Sequence, residues 1–442
     1  MNFRELLFNS NFCKGECSLE LLSVTIEGFR NIDKNTIIFN GLTSLVSTNS
    51  YGKSNLMKAI EFAVDFIKYD KEIKEKMMKS TSGIPLNKYI ENKNFIADFN
   101  FSYNNLIVNY GFEFSWIKND DKGAEIVGEW LYSKLNKKGQ KFNKLISRSS
   151  QKALYKSSTT GRCSNIINVS KNELIINKLL GNENLFFHEI VEEINKMNVY
   201  IDRHLDTTFS YQPSPFIKRG EDEFDLNIIE NIPRAIYALK RKYPDKYSIL
   251  EDAYLQLFPN IKSIDVKEYE ISATNKSKLD VSVPYILSDK VYVMHVEDYN
   301  LNQPIRFDRL SDGAKRVFLM LTYAVLADIK GLKLIAFEEP ENSVHPSLLQ
   351  SYLNVIMQLA NNCKIIIASH SPYILQYVST SDIYIGVPND KGIADFHRIA
   401  NSKVKILHKD ASEAGESVGN YIFDLLSGTE DDIEILSGYL EK

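Results

Sequence analysis

One stretch limits what this chain can fold into more than any other. Gly41–Val46 reads as a short apolar strand. It runs into the polar loop Ser47–Tyr51, then Gly52-Lys53-Ser54, then a helical pattern from Asn55 to about Lys68. A Gly-Lys-Ser that ends a strand-to-helix loop is the second half of the phosphate-binding pattern G-x-x-x-x-G-K-[ST]. Backbone N–H groups in such a loop cradle phosphate at a helix N-terminus, where the helix dipole favours anions. Lys53 would reach the outer phosphates and Ser54 would hold Mg²⁺. Ser47 stands where the pattern has its first glycine. If that position needs a left-handed backbone, a serine costs about 1–3 kcal/mol there, which weakens binding without forbidding it.

Three further segments carry chemistry. Leu334-Ile335-Ala336-Phe337 is an apolar strand ending in Glu338 and Glu339. The first carboxylate can support the shell of Mg²⁺ and the second can polarise an attacking water; a buried strand ending in solvated acids is the plain alternative. Leu310-Ser311-Asp312-Gly313-Ala314-Lys315-Arg316 precedes an apolar helical run. Ser311 and Gly313 at a helix N-terminus can bind a phosphate presented by another subunit, or Ser311 is simply an N-cap. Ile365–Ser369 is a β-branched strand delivering His370 to its carboxyl end, where open α/β sheets bind ligands.

The rest of the chain frames these motifs. Strands are expected at 20–27, 36–39, 95–116 (turning at Asn104-Asn105) and 125–132, helices at 173–198 and 225–258 with a break at Pro244, and strand–helix alternation from Arg309 to about Val387. The expected division is 1–132 and 259–442 as two parts of one α/β P-loop head, flanking a largely helical, basic insertion at 133–258. From Leu131 to Asn172 there are ten Lys/Arg and no Asp or Glu, whereas the chain as a whole has a net charge of −4. That stretch suits nucleic-acid phosphates, an acidic partner, or plain solvent. Gly419–Leu440 has apolar residues at near-helical spacing with acids between them, suiting a helix packed on its own head or a partner's dock. No apolar run is long enough to span a bilayer. The early acidic residue and absent apolar core of the first residues do not read as a secretory signal. Cys13, Cys17, Cys163 and Cys363 are scattered, with no zinc-type pairing, and fit a reducing cytoplasm.

Taken in order and spacing, these motifs resemble the ABC/SMC-type ATPases, in the branch that includes the OLD-like proteins. Gly28-Phe29-Arg30 resembles that branch's element before the P-loop, whose arginine sits near the nucleotide. Glu338-Glu339-Pro340-Glu341-Asn342 with Val344-His345-Pro346 resembles its acidic run. The resemblance implies a mixed sheet beside an antiparallel N-terminal sheet, flanked by helices. It implies ATP and Mg²⁺ bound by Arg30, Asn49, Ser50, Gly52, Lys53, Ser54 and Asn55, with Ser54 and Glu338 on the metal. Glu339 would be the catalytic carboxylate and His370 the switch histidine. Ser311 and Gly313 would act in trans, so at least a homodimer with composite ATP sites is implied. The chain also resembles the stand-alone ATPase subunits of two-component antiphage systems of the Septu and PARIS type, which work with a separate nuclease or effector. Only 72 residues follow His370, without a Toprim-like acidic cluster, so no nuclease of its own is expected. Two other readings stay open: a non-hydrolysing scaffold and an SMC-like DNA-repair head. The position of the Q-loop glutamine is not legible.

Overall fold

The structure is a computed structural model, and it describes residues 19–79, 83–117, 125–202, 210–220, 222–226, 231–271, 283–342 and 344–441. Cys13, Cys17 and the N-terminal stretch read above lie outside these residues. The strands, in chain order, are β1 (Glu20–Phe29), β2 (Ile32–Ile38), β3 (Leu42–Ser47), β4 (Phe95–Tyr103), β5 (Leu106–Ser115), β6 (Glu125–Leu135), β7 (Asn143–Arg148), β8 (Ala153–Tyr155), β9 (Asn165–Ile166) and β10 (Asn198–Ile201). Then come β11 (Phe216–Lys218), β12 (Ile261–Glu270), β13 (Tyr285–Leu287), β14 (Lys290–Asp298), β15 (Ile305–Arg306), β16 (Leu332–Glu338), β17 (Lys364–Ser369), β18 (Ile383–Gly386) and β19 (Phe396–Arg398). Their contacts gather into two units. One holds residues 19–201, 331–339 and 362–441; the other holds 202–330 and 340–361. These units cut across the three stretches expected from sequence: 133–201 goes with the P-loop, while 202–258 goes with the signature segment.

In the first unit, strict alternation in β4 places Phe95, Ala97, Phe99 and Phe101 on one face, all fully buried. β4 lies in an eight-stranded antiparallel sheet, ordered β2-β1-β4-β5-β6-β7-β8-β9. Beside it runs a six-stranded sheet, β10-β16-β17-β3-β18-β19, parallel except for β19. Helix α1 (Lys53–Lys68) meets both sheets; Leu56, Met57, Ile60, Ala63, Val64 and Ile67 line its buried half, while Lys58 and Lys68 stand exposed on the other side, as expected for an amphipathic helix. Phe66 stacks on Phe112 and Phe114, each at 4.9 Å between ring centroids. Burying such aromatic rings contributes several kcal/mol in total, and it anchors the C-terminal end of α1 on the antiparallel sheet.

The basic stretch is not helical at its start. Residues 143–166 supply β7, β8 and β9 instead. Further on, the short helix Ile175–Leu179 begins at Leu174, which offers no side-chain cap. Glu129, on the core face of β6 and 1% exposed, replaces the cap from a distance. Its Oε2 accepts from Ile175 N at 2.6 Å, and its Oε1 accepts from Ile176 N at 2.9 Å and from the Tyr110 hydroxyl at 3.3 Å. The buried Lys74 ammonium donates to Asn177 Oδ1 of the same helix at 2.9 Å.

The second unit is built round helices α2 (Asp312–Lys330) and α3 (Pro346–Ala360), with β12, β14 and β15 forming a small antiparallel sheet and β11 pairing with β13. Tyr211, Tyr254, Phe307 and Phe318 form its aromatic cluster. Among the described residues no helix is long and apolar enough to cross a membrane.

Candidate nucleotide-binding site

β3 ends at Ser47, and five residues later α1 begins with Gly52 as its N-cap. No side chain caps this helix and no acidic residue lies in its first turn. A 16-residue helix starting this way presents a positive end that suits an anion. Ser50 (φ 59°) and Gly52 (φ 137°) bend the loop backbone. Gly52 could not be any other residue without displacement, because a Cβ there would stand 2.6 Å from Ala394 Cβ. The expected strain at Ser47 is absent. Ser47 is the last residue of an extended strand, paired with Gly386, and its φ is not left-handed. The first glycine of the pattern is therefore dispensable here, and the unfavourable backbone sits at Ser50 instead.

Lys53 shows what Ser47 does. The ammonium donates to Ser47 O at 3.1 Å, to Ser47 Oγ at 3.3 Å and to His370 Nε2 at 2.8 Å. Because β17 lies between β3 and β16, its carboxyl end brings His370 between the P-loop and Glu338-Glu339. Glu339 N donates to Ala368 O at 2.8 Å, and Glu339 itself adopts φ 45°. A non-glycine residue held in the left-handed region costs about 1–3 kcal/mol and persists where surrounding structure enforces it. Three of the six such residues described, Arg30, Ser50 and Glu339, belong to this site.

The loop is braced from behind. Arg30 occupies the first position of the two-residue turn joining β1 and β2, with φ 53°. Its Nη1 donates to Asn55 Oδ1 at 2.9 Å, Asn55 Nδ2 to Asn31 Oδ1 at 2.8 Å, and Asn31 Nδ2 to Tyr51 O at 2.8 Å. The Tyr51 hydroxyl accepts from Asp395 N at 3.0 Å and donates to Asp395 O at 3.2 Å, clamping the loop to the start of β19. Sequence reading missed Asn31, Tyr51 and Asp395. The only signal for Asn31 was its place directly after Arg30; Tyr51 stood in the loop but its clamping hydroxyl was not foreseen, and nothing flagged Asp395. Asn49 and Ser50 are exposed at the loop's tip and Ser54 is half-buried in the first turn of α1.

The imidazole of His370 is held below its ordinary 6.5, first by burial and then by the Lys53 ammonium, with Glu339 pulling the other way. A neutral ring with Nε2 bare is what lets it accept from Lys53. The folded state disfavours the protonated ring, so this contribution to stability is present above pH 6.5 and is lost as pH falls through the folded pKa. We expect Lys53→Met to raise the His370 pKa towards the ordinary value. NMR titration of the histidines, with His370→Gln for assignment, checks this; an unmoved resonance would refute the contact.

The signature segment lies in the second unit. Ser311 N-caps α2, its Oγ accepting from Ala314 N at 3.3 Å, and is exposed, while Gly313 is buried. The buried tyrosines Tyr254 and Tyr211 donate to Ala314 O (3.2 Å) and Lys315 O (3.0 Å), anchoring this helix start from within the unit. The capping and phosphate readings of Ser311 are thus compatible: the hydroxyl caps, and the helix N-terminus remains at the surface.

The P-loop strand, the histidine strand and the strand ending in two glutamates stand side by side, with their carboxyl ends together. A family model described as "AAA domain, putative AbiEii toxin, Type IV TA system" matches residues 43–376. The chain belongs to this family. The AAA match runs from β3 to just past His370, so it takes in the P-loop, the signature segment, the two glutamates and His370, and leaves out Arg30, Asn31 and Asp395. Protein ea59 of Escherichia phage lambda is 28% identical over 168 residues, 37% of this chain and 27% of that protein; the chain thus matches about a quarter of its length. Among solved structures, an SMC head bound to the C-winged helix domain of ScpA is 13% identical, covering 88% of this chain and 99% of that one, with a TM-score of 0.44. The SMC head domain from Thermotoga maritima is 10% identical over 86% of this chain and 99% of that one, with a TM-score of 0.42. The strand order and the AAA match carry the assignment to the P-loop nucleotide-binding ATPases.

Proposed function

We propose that this chain is an ATP-hydrolysing head that works in pairs and governs a separate nuclease or effector in defence against phage. The observation that carries the enzymatic part is the convergence of Lys53, His370 and Glu339 at the carboxyl ends of β3, β17 and β16. The P-loop backbone, with Asn49, Ser50, Gly52 and Asn55 around it and Arg30 behind, would hold the phosphates. Lys53 would leave Ser47 and His370 to neutralise them. Mg²⁺ would be held by Ser54 and Glu338, neutralising charge between phosphate oxygens. The residues fit these charges: an uncapped helix start and a buried ammonium for the anion, a hydroxyl and carboxylates for the cation. Glu339 takes the proton of the attacking water, and His370, once released by Lys53, hydrogen-bonds the terminal phosphate.

Pairing is supported by Ser311, which caps α2 yet stays exposed at a helix N-terminus suited to an anion. With Gly313 it would complete the ATP site of a second copy. The family description, which names a putative toxin system, supports work beside another protein. Light scattering tests the pairing. Glu339→Gln protein is expected to gain mass on adding ATP, whereas the same protein carrying Ser311→Arg binds ATP but does not. Equal mass gain by both would remove Ser311 from the interface.

A further inference from the structure

The β6–β7 hairpin presents a surface that the nucleotide site does not use. Tyr132 of β6 is the register partner of Lys144 of β7, and Lys134 follows Tyr132 by two residues, on the same face. Phe142, just before β7, is 46% exposed. Its ring centroid stands 6.4 Å from that of Tyr132, with the planes at 60°. The Lys134 ammonium rests 4.6 Å from the Phe142 centroid and that of Lys144 5.9 Å from the Tyr132 centroid. Among the described residues, no carboxylate pairs with either lysine, and the whole stretch from Leu131 to Asn172 contains none. The carboxylates on the same face are already engaged: Asp98 of β4 accepts from Trp130 Nε1 and Asn109 Nδ2, both at 2.8 Å, Glu113 of β5 accepts from Asn94 Nδ2 at 2.6 Å, and Glu27 of β1 pairs with Lys93 at 3.5 Å.

The pairing of rings with unneutralised cations discriminates between occupants. An acidic protein would satisfy the lysines and leave the rings uncovered. A duplex would do the same, since its base faces are hidden in the stack. A strand with unpaired bases satisfies both groups along one backbone, by stacking on the rings and offering phosphates to the ammonium groups. We propose that the β6–β7 face binds single-stranded nucleic acid, Tyr132 and Phe142 stacking on bases while Lys134 and Lys144 turn to the flanking phosphates. Each lysine then exchanges an exposed cation–π contact for a phosphate, and each ring exchanges a cation for a base, which is the stronger stacking partner.

The test uses the full chain without nucleotide, so that it stands or falls apart from ATP hydrolysis. Fluorescein-labelled dT20, rU20, a duplex of equal length and poly-glutamate are titrated by anisotropy. The single strands are expected to bind at least about tenfold more tightly than the duplex, with dT20 and rU20 telling DNA from RNA. Phe142→Ala is expected to weaken dT20 by about 5- to 100-fold, and Phe142→Trp to restore it. Lys134→Ala with Lys144→Ala should lower the slope of log affinity against log salt by about 1.4. Unchanged melting of each variant shows that the fold is intact. Equal binding of duplex and single strand, preference for poly-glutamate, or indifference to Phe142→Ala in a folded protein would each overturn the proposal.

Discussion

Glu339→Gln is expected to cut phosphate release by about 10²–10⁴-fold, the usual contribution of a positioned proton acceptor. ATP affinity should stay within about threefold, because the amide keeps the size of the side chain and Lys53 would still be there to hold the phosphates. The geometry makes the effect specific to this carboxylate. Glu338 ends β16 in register with Ala368, while Glu339 is turned out of the strand by its φ of 45° and lies close enough to His370 to shift its titration. Phosphate release by wild type, Glu339→Gln and Glu338→Gln, each with and without Mg²⁺, separates the two roles. If wild type and Glu339→Gln release phosphate equally slowly, the chain is a nucleotide-bound scaffold and not an enzyme.

The largest effect on stability is expected from Glu129→Ala, at about 2–6 kcal/mol, since each buried N–H left without an acceptor costs about 1–3 kcal/mol. That is a large share of the roughly 5–15 kcal/mol that holds most domains together. The substitution leaves the N–H groups of Ile175 and Ile176 without their acceptor. It also removes the nearby negative charge that favours protonation of Lys74, whose ammonium burial already pulls down to about 8. The carboxyl of Glu129 is pushed up to about 7 by burial, against an ordinary 4.5. Between those values the unfolded chain has lost the proton and the folded one keeps it, so folding loses stability as pH rises through that window. Urea midpoints should therefore show a larger advantage of wild type over Glu129→Ala at pH 5.5 than at pH 8. An advantage that grows with pH would mean that the folded carboxyl is charged throughout.

The elements of the candidate nucleotide site were legible where local pattern and global fold agree. A strand of apolar residues followed by Gly52-Lys53-Ser54 can hardly end otherwise than at a helix start, and a run such as Ile365–Ser369 reads as a buried parallel strand. What pattern cannot give is backbone conformation. Ser47 looked like the weak point because the motif writes glycine there, yet strand pairing holds it extended. The three left-handed residues at the site are an arginine, a serine and a glutamate, none of which advertises that geometry. The short strands β7 to β9 escaped notice for a different reason: their Lys, Ser and Asn content lowers strand propensity, and pairing of β7 to β6, then of β8 to β7 and β9 to β8, overrides it. Tyr51 and Asp395 are brought together by the sheet order alone.

That sheet order also sets a timetable. The strands β1, β2, β4, β5 and β6 find their partners within neighbouring sequence, so the antiparallel sheet can form while the rest is still being made. β3 cannot. Its two neighbours are β17 and β18, so Ser44 pairs with Ile367 and Ile383, roughly 320 residues later. At ~5–20 residues per second, a ribosome takes about 15–60 s to supply them. For that interval the apolar strand leading into the P-loop has a helix behind it and no strand on either side. The strand leading into the P-loop is thus among the last parts of the nascent chain to be completed, and until then β3 is a segment in need of protection from other unpaired strands.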